Sequence, residues 1–154
     1  MIATGITVLI VALGVVAFKK GIYSLWDANV HRIDSTEASE LLKEKKPFII
    51  DARTPEEYNV SHIDGAVRFE ESLIGNIPND RPILIYCTLG VRSNRTAKEL
   101  SDLGFKEIYD MKDGILGWAN GELPVVNTEN EPTENIHTYN KSFAPLLKRG
   151  KAVY

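Results

Sequence analysis

Hydrophobic positions run almost unbroken from Ile2 to Phe18, with only Thr4, Thr7 and glycines between them and no charge before Lys19 and Lys20. A hydrocarbon core is crossed by ~17–25 apolar helical residues, so residues 1–20 are expected to be a transmembrane anchor. A cleavable signal peptide leading to export is the alternative, but no basic residue precedes the run and no small-x-small site follows it. Lys19 and Lys20 favour the cytoplasm for the C-terminal side, with Tyr23 and Trp26 as candidate interfacial anchors. Residues 21–30 read as a linker.

Beyond residue 30 the period changes. Ser35 is read as the N-cap of a helix reaching about Lys45, with Leu41 and Leu42 on its apolar side. Pro47-Phe48-Ile49-Ile50-Asp51 is a short buried strand ending in a carboxylate. Thr54-Pro55-Glu56-Glu57 has the form of a capping box with Pro at the first helical position. Ala66 to Phe69 reads as a strand, Glu70 to Pro78 has no clear period, and Pro78-Asn79-Asp80 marks a turn. Ile83 to Tyr86 is the most apolar short run and is expected at the sheet centre. A helix is predicted after Ser93, burying Ala97, Leu100 and Leu103 and stopped by Gly104. Glu107 to Tyr109 reads as a strand and Ile115 to Asn120 as a helix. Apolar strands alternating with helices predict an α/β fold with a parallel sheet covered on both faces. Ligands bind such sheets at the carboxyl ends of strands, where Asp51 and Cys87 both fall. Asn127 to Asn135 is polar and reads as a loop. The remaining tail mixes aromatic and basic residues and is expected either to drape over the domain or to dock on a partner or membrane surface.

A chain of 154 residues carries one domain with short appendages, and its net charge of −3 gives no reason to expect nucleic acid as a partner. His31, His62 and His137 lack ligand spacing, so no metal site is expected. The single cysteine excludes an internal disulfide, a Cys-x-x-Cys redox pair and a cysteine-rich zinc site. What the cysteine does have is its place. Cys87-Thr88-Leu89-Gly90-Val91-Arg92-Ser93 joins an apolar strand to a helix N-terminus. Backbone N–H groups and the helix dipole favour negative charge there, Gly90 permits the tight turn, and Arg92 adds a fixed positive charge. Such surroundings favour a reactive thiolate over an inert buried thiol. Cys87 and Arg92 are therefore the expected catalytic residues, with Thr88, Leu89, Gly90, Val91 and Ser93 binding substrate.

In this loop and in four further segments the chain resembles the rhodanese family of sulfurtransferases. Asp51 to Tyr58, His62 to Ala66, Cys87 to Ser93, Leu103-Gly104-Phe105 and Gly114 to Trp118 match five ordered family segments. The resemblance covers about Asp34 to Val126 and implies a five-stranded parallel sheet flanked by helices. Residues 31–126 become the rhodanese-like domain, with 127–154 as its C-terminal tail. It implies a Cys87 persulfide as the covalent intermediate and no cofactor. A sulfane-sulfur donor, thiosulfate or a persulfide, would load Cys87, and a thiophilic acceptor would unload it. Asp51 and Arg53 read as a structural ion pair, His62 as part of a structural turn, and Trp118 as a packing anchor. The six residues from Cys87 to Arg92 are one fewer than in relatives acting on phosphate or arsenate, which argues against a phosphatase or arsenate reductase. The uncharged Thr88, Leu89 and Val91 predict poor holding of a dianionic donor. Asp113 stands where the family has a glycine, and a carboxylate there either disfavours the thiolate or points to solvent. The alternative function is a sulfur carrier or partner-binding module at the membrane that does not turn over.

Overall fold

The computed structural model describes residues 29–154. The expected anchor and most of the linker lie outside the described residues, and within them no helix is long and apolar enough to cross a membrane. Five parallel strands form the central sheet: β1 (Val30–Ile33), β2 (Phe48–Asp51), β3 (Val67–Arg68), β4 (Ile83–Tyr86) and β5 (Ile108–Met111). Their order across the sheet is β1-β5-β4-β2-β3. Every residue of the central strand β4 is buried, as expected of a strand covered on both faces.

Alternation along the strands divides the core in two. Ile49, Leu84, Tyr86 and Met111 face one layer, which includes Ala38 and Leu41 of α1 (Ser35–Lys45) and Ile115, Leu116 and Trp118 of α4 (Gly114–Asn120). Ile50, Ile83, Ile85 and Ile108 face the other, against Ala97 and Leu100 of α3 (Val91–Asp102). The short α2 (Pro55–Val60) follows β2 and begins with the expected capping box on Thr54.

Several elements differ from their sequence reading. The N-cap of α1 is Asp34: its carboxylate accepts from the Glu37 N–H at 3.0 Å, while the Glu37 carboxylate accepts from the Asp34 N–H at 2.8 Å. Ser35 is the first helical residue. α3 starts at Val91, two residues before Ser93, because Gly90 in the left-handed region (φ 76°) turns the chain directly into the helix. The segment from Glu71 to Asn76, without a period in the sequence, is a 3-10 helix.

The segment after Val126 is built onto the domain. β6 (Val125–Val126) and β7 (Pro132–Thr133) form an antiparallel pair. The Asn127 side chain accepts from the N–H groups of Glu129 and Glu131 at 2.9 and 3.0 Å. β8 (Asn135–His137) pairs in parallel with β9 (Lys151–Val153) and buries Ile136 in the first core layer. Between them a 3-10 helix spans Lys141–Leu146. Its end is tied to the last residue of α4: the Asn120 amide donates to the Leu146 carbonyl at 3.0 Å and accepts from the Lys148 N–H at 2.6 Å.

Candidate active site

Cys87 follows β4 directly and is buried, with 2 % of its surface exposed. The turn from Cys87 to Gly90 is held by its carbonyls. Those of Cys87 and Thr88 accept from the N–H groups of Ile115 (2.8 Å) and Leu116 (3.4 Å) in the first turn of α4. That of Gly90 accepts from Arg32 Nη2 at 3.2 Å. With its acceptors engaged there, the turn donates to the thiol: the Gly90 N–H lies 3.1 Å from Cys87 Sγ. Such donors, together with the N-terminus of α3, stabilise negative charge on the sulfur.

Two close approaches demand glycine. A Cβ on Gly90 would collide with the Lys112 carbonyl, and one on Gly114 with the Thr88 carbonyl; both residues have positive φ, 76° and 59°. The backbone of 112–114 thus forms the back wall of the Cys87 turn.

α2 supplies the front. Glu57 is buried, and its carboxylate accepts from Arg92 Nη1 and Nη2, both at 2.7 Å, and from the Thr88 hydroxyl at 2.7 Å. Burial pushes the Glu57 carboxyl up, but the Arg92, Thr54 and Thr88 donors outweigh it and hold the pKa down at about 2. The same pairing with Glu57 raises Arg92 further. Arg92 Nη2 also reaches the Thr88 hydroxyl at 2.9 Å. The guanidinium therefore ties the turn to α2, and its charge is compensated. Sequence reasoning saw Glu57 only as a capping residue.

Asp110 at the end of β5 fixes the other side. It accepts from Ser93 Oγ at 2.6 Å, Asn94 Nδ2 at 3.1 Å and Arg32 Nε at 3.0 Å. Burial pushes its carboxyl above the ordinary value against the pull of these donors. Ser93, expected to bind substrate, is fully buried and directs its hydroxyl to Asp110 instead of the pocket.

The pocket before Cys87 measures about 250 Å³. Thr88, Leu89, Val91 and Arg92 line it from the domain, and Tyr139 and Phe143 close it from the C-terminal segment. Neither aromatic is singled out for the site by the sequence, because Tyr139, with φ 71°, lies before the 3-10 helix that carries Phe143 and no regular period links the two.

A family model described as the rhodanese-like domain matches residues 34–121. The chain belongs to the rhodanese-like family. A protein of Allochromatium vinosum named sulfurtransferase is 33 % identical over 105 residues, covering 65 % of this chain and 98 % of that one. The probable adenylyltransferase/sulfurtransferase MoeZ of Mycobacterium tuberculosis is 35 % identical over 86 residues, 52 % of this chain, and the match spans only 22 % of its length. Among solved structures, a rhodanese-related protein from Thermoplasma volcanium superposes with a TM-score of 0.56 at 26 % identity, covering 62 % of this chain and 97 % of that one.

The other residues shared with rhodanese motifs lie behind the pocket. Asp51 and Arg53 are buried and joined by Arg53 Nη2 to Asp51 Oδ2 at 2.7 Å, and Arg53 also donates to the Ser61 carbonyl at 2.6 Å. The Tyr86 hydroxyl donates to Asp51 at 2.8 Å and accepts from the Ile63 N–H at 3.1 Å. His62 stacks on Tyr58, with centroids 3.9 Å apart, and its backbone bridges to Val126. Trp118 donates to the Pro124 carbonyl at 2.9 Å. Asp51, Arg53, His62 and Trp118 do not line the pocket. Asp113, the departure from the family glycine, is neither a pocket residue nor free in solvent. Its Oδ2 accepts from the Ser35 N–H at 3.2 Å and hydroxyl at 2.8 Å, fastening the start of α1.

Proposed function

We propose that this rhodanese-like domain is a sulfurtransferase carrying sulfur on Cys87. The observation that carries this reading is Cys87 Sγ at the floor of the pocket with the Gly90 N–H donating to it. In the loading step the Cys87 thiolate attacks the outer sulfur of a donor R–S–SH. A Cys87 S–S bond forms, the donor S–S bond breaks, and its electron pair leaves with R–S⁻. The proton remains on the transferred sulfur. Turn amides and the α3 N-terminus stabilise the anionic persulfide once that proton is lost. A thiophilic acceptor then takes the outer sulfur and returns the thiolate. The acceptor is external, because the chain has no second cysteine. The reading includes attachment to a membrane through residues 1–20, with the domain on the cytoplasmic side, on the strength of the sequence pattern alone.

Intact mass of the protein after incubation with thiosulfate, and separately with glutathione persulfide, tests the chemistry. One added sulfur atom is expected, removed by cyanide as thiocyanate and absent in Cys87→Ser. No addition from either donor refutes the proposal. Loading without turnover for any acceptor favours the sulfur-carrier reading.

A further inference from the structure

The C-terminal segment reaches the pocket with two aromatic rings, and their placement is fixed from several sides. Ile136 is buried in the core, and the fully buried Thr138 donates its N–H to the Val153 carbonyl at 2.8 Å. The Tyr139 N–H donates to His137 Nδ1 at 3.1 Å. Asn140 caps the following 3-10 helix through the Ser142 N–H at 2.9 Å, and Asn120 holds its far end. The Tyr139 and Phe143 rings stack with centroids 5.8 Å apart, and the Arg92 guanidinium lies 5.1 Å from the Tyr139 centroid.

Charge decides what such a pocket accepts. Among the described residues Arg92 is the only cation lining it, and Glu57 neutralises that charge through two short bonds. Tyr139 also lies close to the guanidinium. Besides Arg92 and the reacting Cys87, the described residues line it with Thr88, Leu89, Val91, Tyr139 and Phe143, none of which carries a formal charge. The Gly90 N–H serves the reacting sulfur, so the volume beyond it meets the group the sulfur is attached to. Dianionic thiosulfate presents oxyanions to aromatic and aliphatic walls, where desolvation is unfavourable. An uncharged organic group gains from the same walls.

We propose that Tyr139 and Phe143 are specificity-determining residues that bind an apolar aryl or alkyl substituent on the sulfur donor. The proposal rests on the sulfur-transfer reading and extends it to the substrate class. With an organic thiosulfonate, R–SO2–S⁻, the Cys87 thiolate attacks the terminal sulfur, the sulfur–sulfonyl bond breaks, and the electron pair leaves on the sulfinate R–SO2⁻. A proton from solvent completes Cys87–S–SH.

Thiosulfate, methanethiosulfonate and benzenethiosulfonate share the transferred sulfur and differ in what the sulfonyl carries: O⁻, methyl or phenyl. The test is kcat/KM for the three donors with cyanide as acceptor, in the full chain, Tyr139→Phe, Tyr139→Ala and Phe143→Ala. The wild type is expected to favour benzenethiosulfonate over methanethiosulfonate by at least about tenfold, with thiosulfate last. Both alanine variants should reduce the phenyl-to-methyl ratio about tenfold, chiefly through KM, while Tyr139→Phe retains it. A ratio within one preparation does not depend on its folded fraction, so partial misfolding cannot imitate the result. Equal ratios in all four proteins, or thiosulfate as the best wild-type donor, overturn the aromatic wall but leave sulfur transfer intact. Absence of a Cys87 persulfide with every donor overturns sulfur transfer itself and the inference with it.

Discussion

Glu57 shows how one carboxylate sets the geometry of a site without touching the reacting sulfur. It accepts from Arg92, from the Thr88 hydroxyl and from the Thr54 N–H, and thereby joins α2 to the Cys87 turn. Arg92, expected from sequence to add a fixed positive charge beside Cys87, lines the pocket with that charge paired to Glu57. A carboxyl held at about 2, below the ordinary glutamate value of about 4.5, stabilises the fold fully above about pH 4.5, and that contribution is lost as pH falls toward 2. Glu57→Gln is therefore expected to lose about 2–3 kcal/mol at neutral pH and to show a shallower decline in stability between pH 4.5 and 2 than the wild type. Urea unfolding at pH 7, 4 and 3 checks both. A variant with wild-type stability and slope would mean that the pair contributes nothing to the fold. Arg92→Lys retains the charge but loses the two-pronged geometry. It should therefore lower kcat/KM nearly as far as Arg92→Ala; full activity in the lysine variant would assign Arg92 to charge rather than position.

At the level of elements, the Cys87 turn depends on a back wall from a distant part of the chain. Gly90 and Gly114 each combine a positive φ with a backbone carbonyl where a side chain would begin, whereas Gly65 has a φ of 76° with nothing within 4 Å. Gly65→Ala should cost only the conformational penalty, about 1–2 kcal/mol. Gly90→Ala and Gly114→Ala should cost more than about 3 kcal/mol, because backbone must also move. Thermal unfolding of the three variants separates the two contributions, and equal losses would show that the wall yields easily. The same contrast explains what could be read from sequence. β4 was legible because four consecutive buried apolar residues on a short run have few alternatives, and α2 because its capping box is entirely local. The α1 cap shifts by one residue because Asp34 and Ser35 are both good caps and the reciprocal bonds of Asp34 with Glu37 place it at Asp34, leaving Ser35 to bond Asp113. β1 straddles the expected boundary between linker and domain, with only Val30 on the linker side, and is not legible as a strand because Val30-His31-Arg32-Ile33 is a short edge strand with two exposed central residues, recognisable only by its pairing with β5. Arg32 on that strand reaches both Asp110 and Gly90, a link between segments nearly 80 residues apart that no local pattern announces.

At the scale of the whole molecule, the two ends of the chain bear on one another through the chemistry of the pocket. The apolar run at residues 1–20 is proposed as a membrane anchor, and the eight residues from 21 to 28 separate it from the described fold. Even fully extended, eight residues reach at most about 28 Å, so an inserted anchor holds the domain beside the bilayer surface. A pocket walled by Tyr139 and Phe143 then faces substrates in the place where apolar thiols and persulfides concentrate. Anchoring and aromatic specificity are separate proposals, but each makes the other chemically sensible. The anchor is tested by expressing the full chain and washing membranes with alkaline carbonate. The wild type should remain in the membrane fraction at full mass. Leu9→Arg with Leu13→Arg should release it, since each arginine near the centre of a span disfavours insertion by about 2.5–3.5 kcal/mol. A shortened protein in the soluble or exported fraction would identify the run as a cleaved signal. Full-length wild type in the carbonate wash would place the sulfur chemistry in free solution, where an apolar donor has to be delivered by a partner.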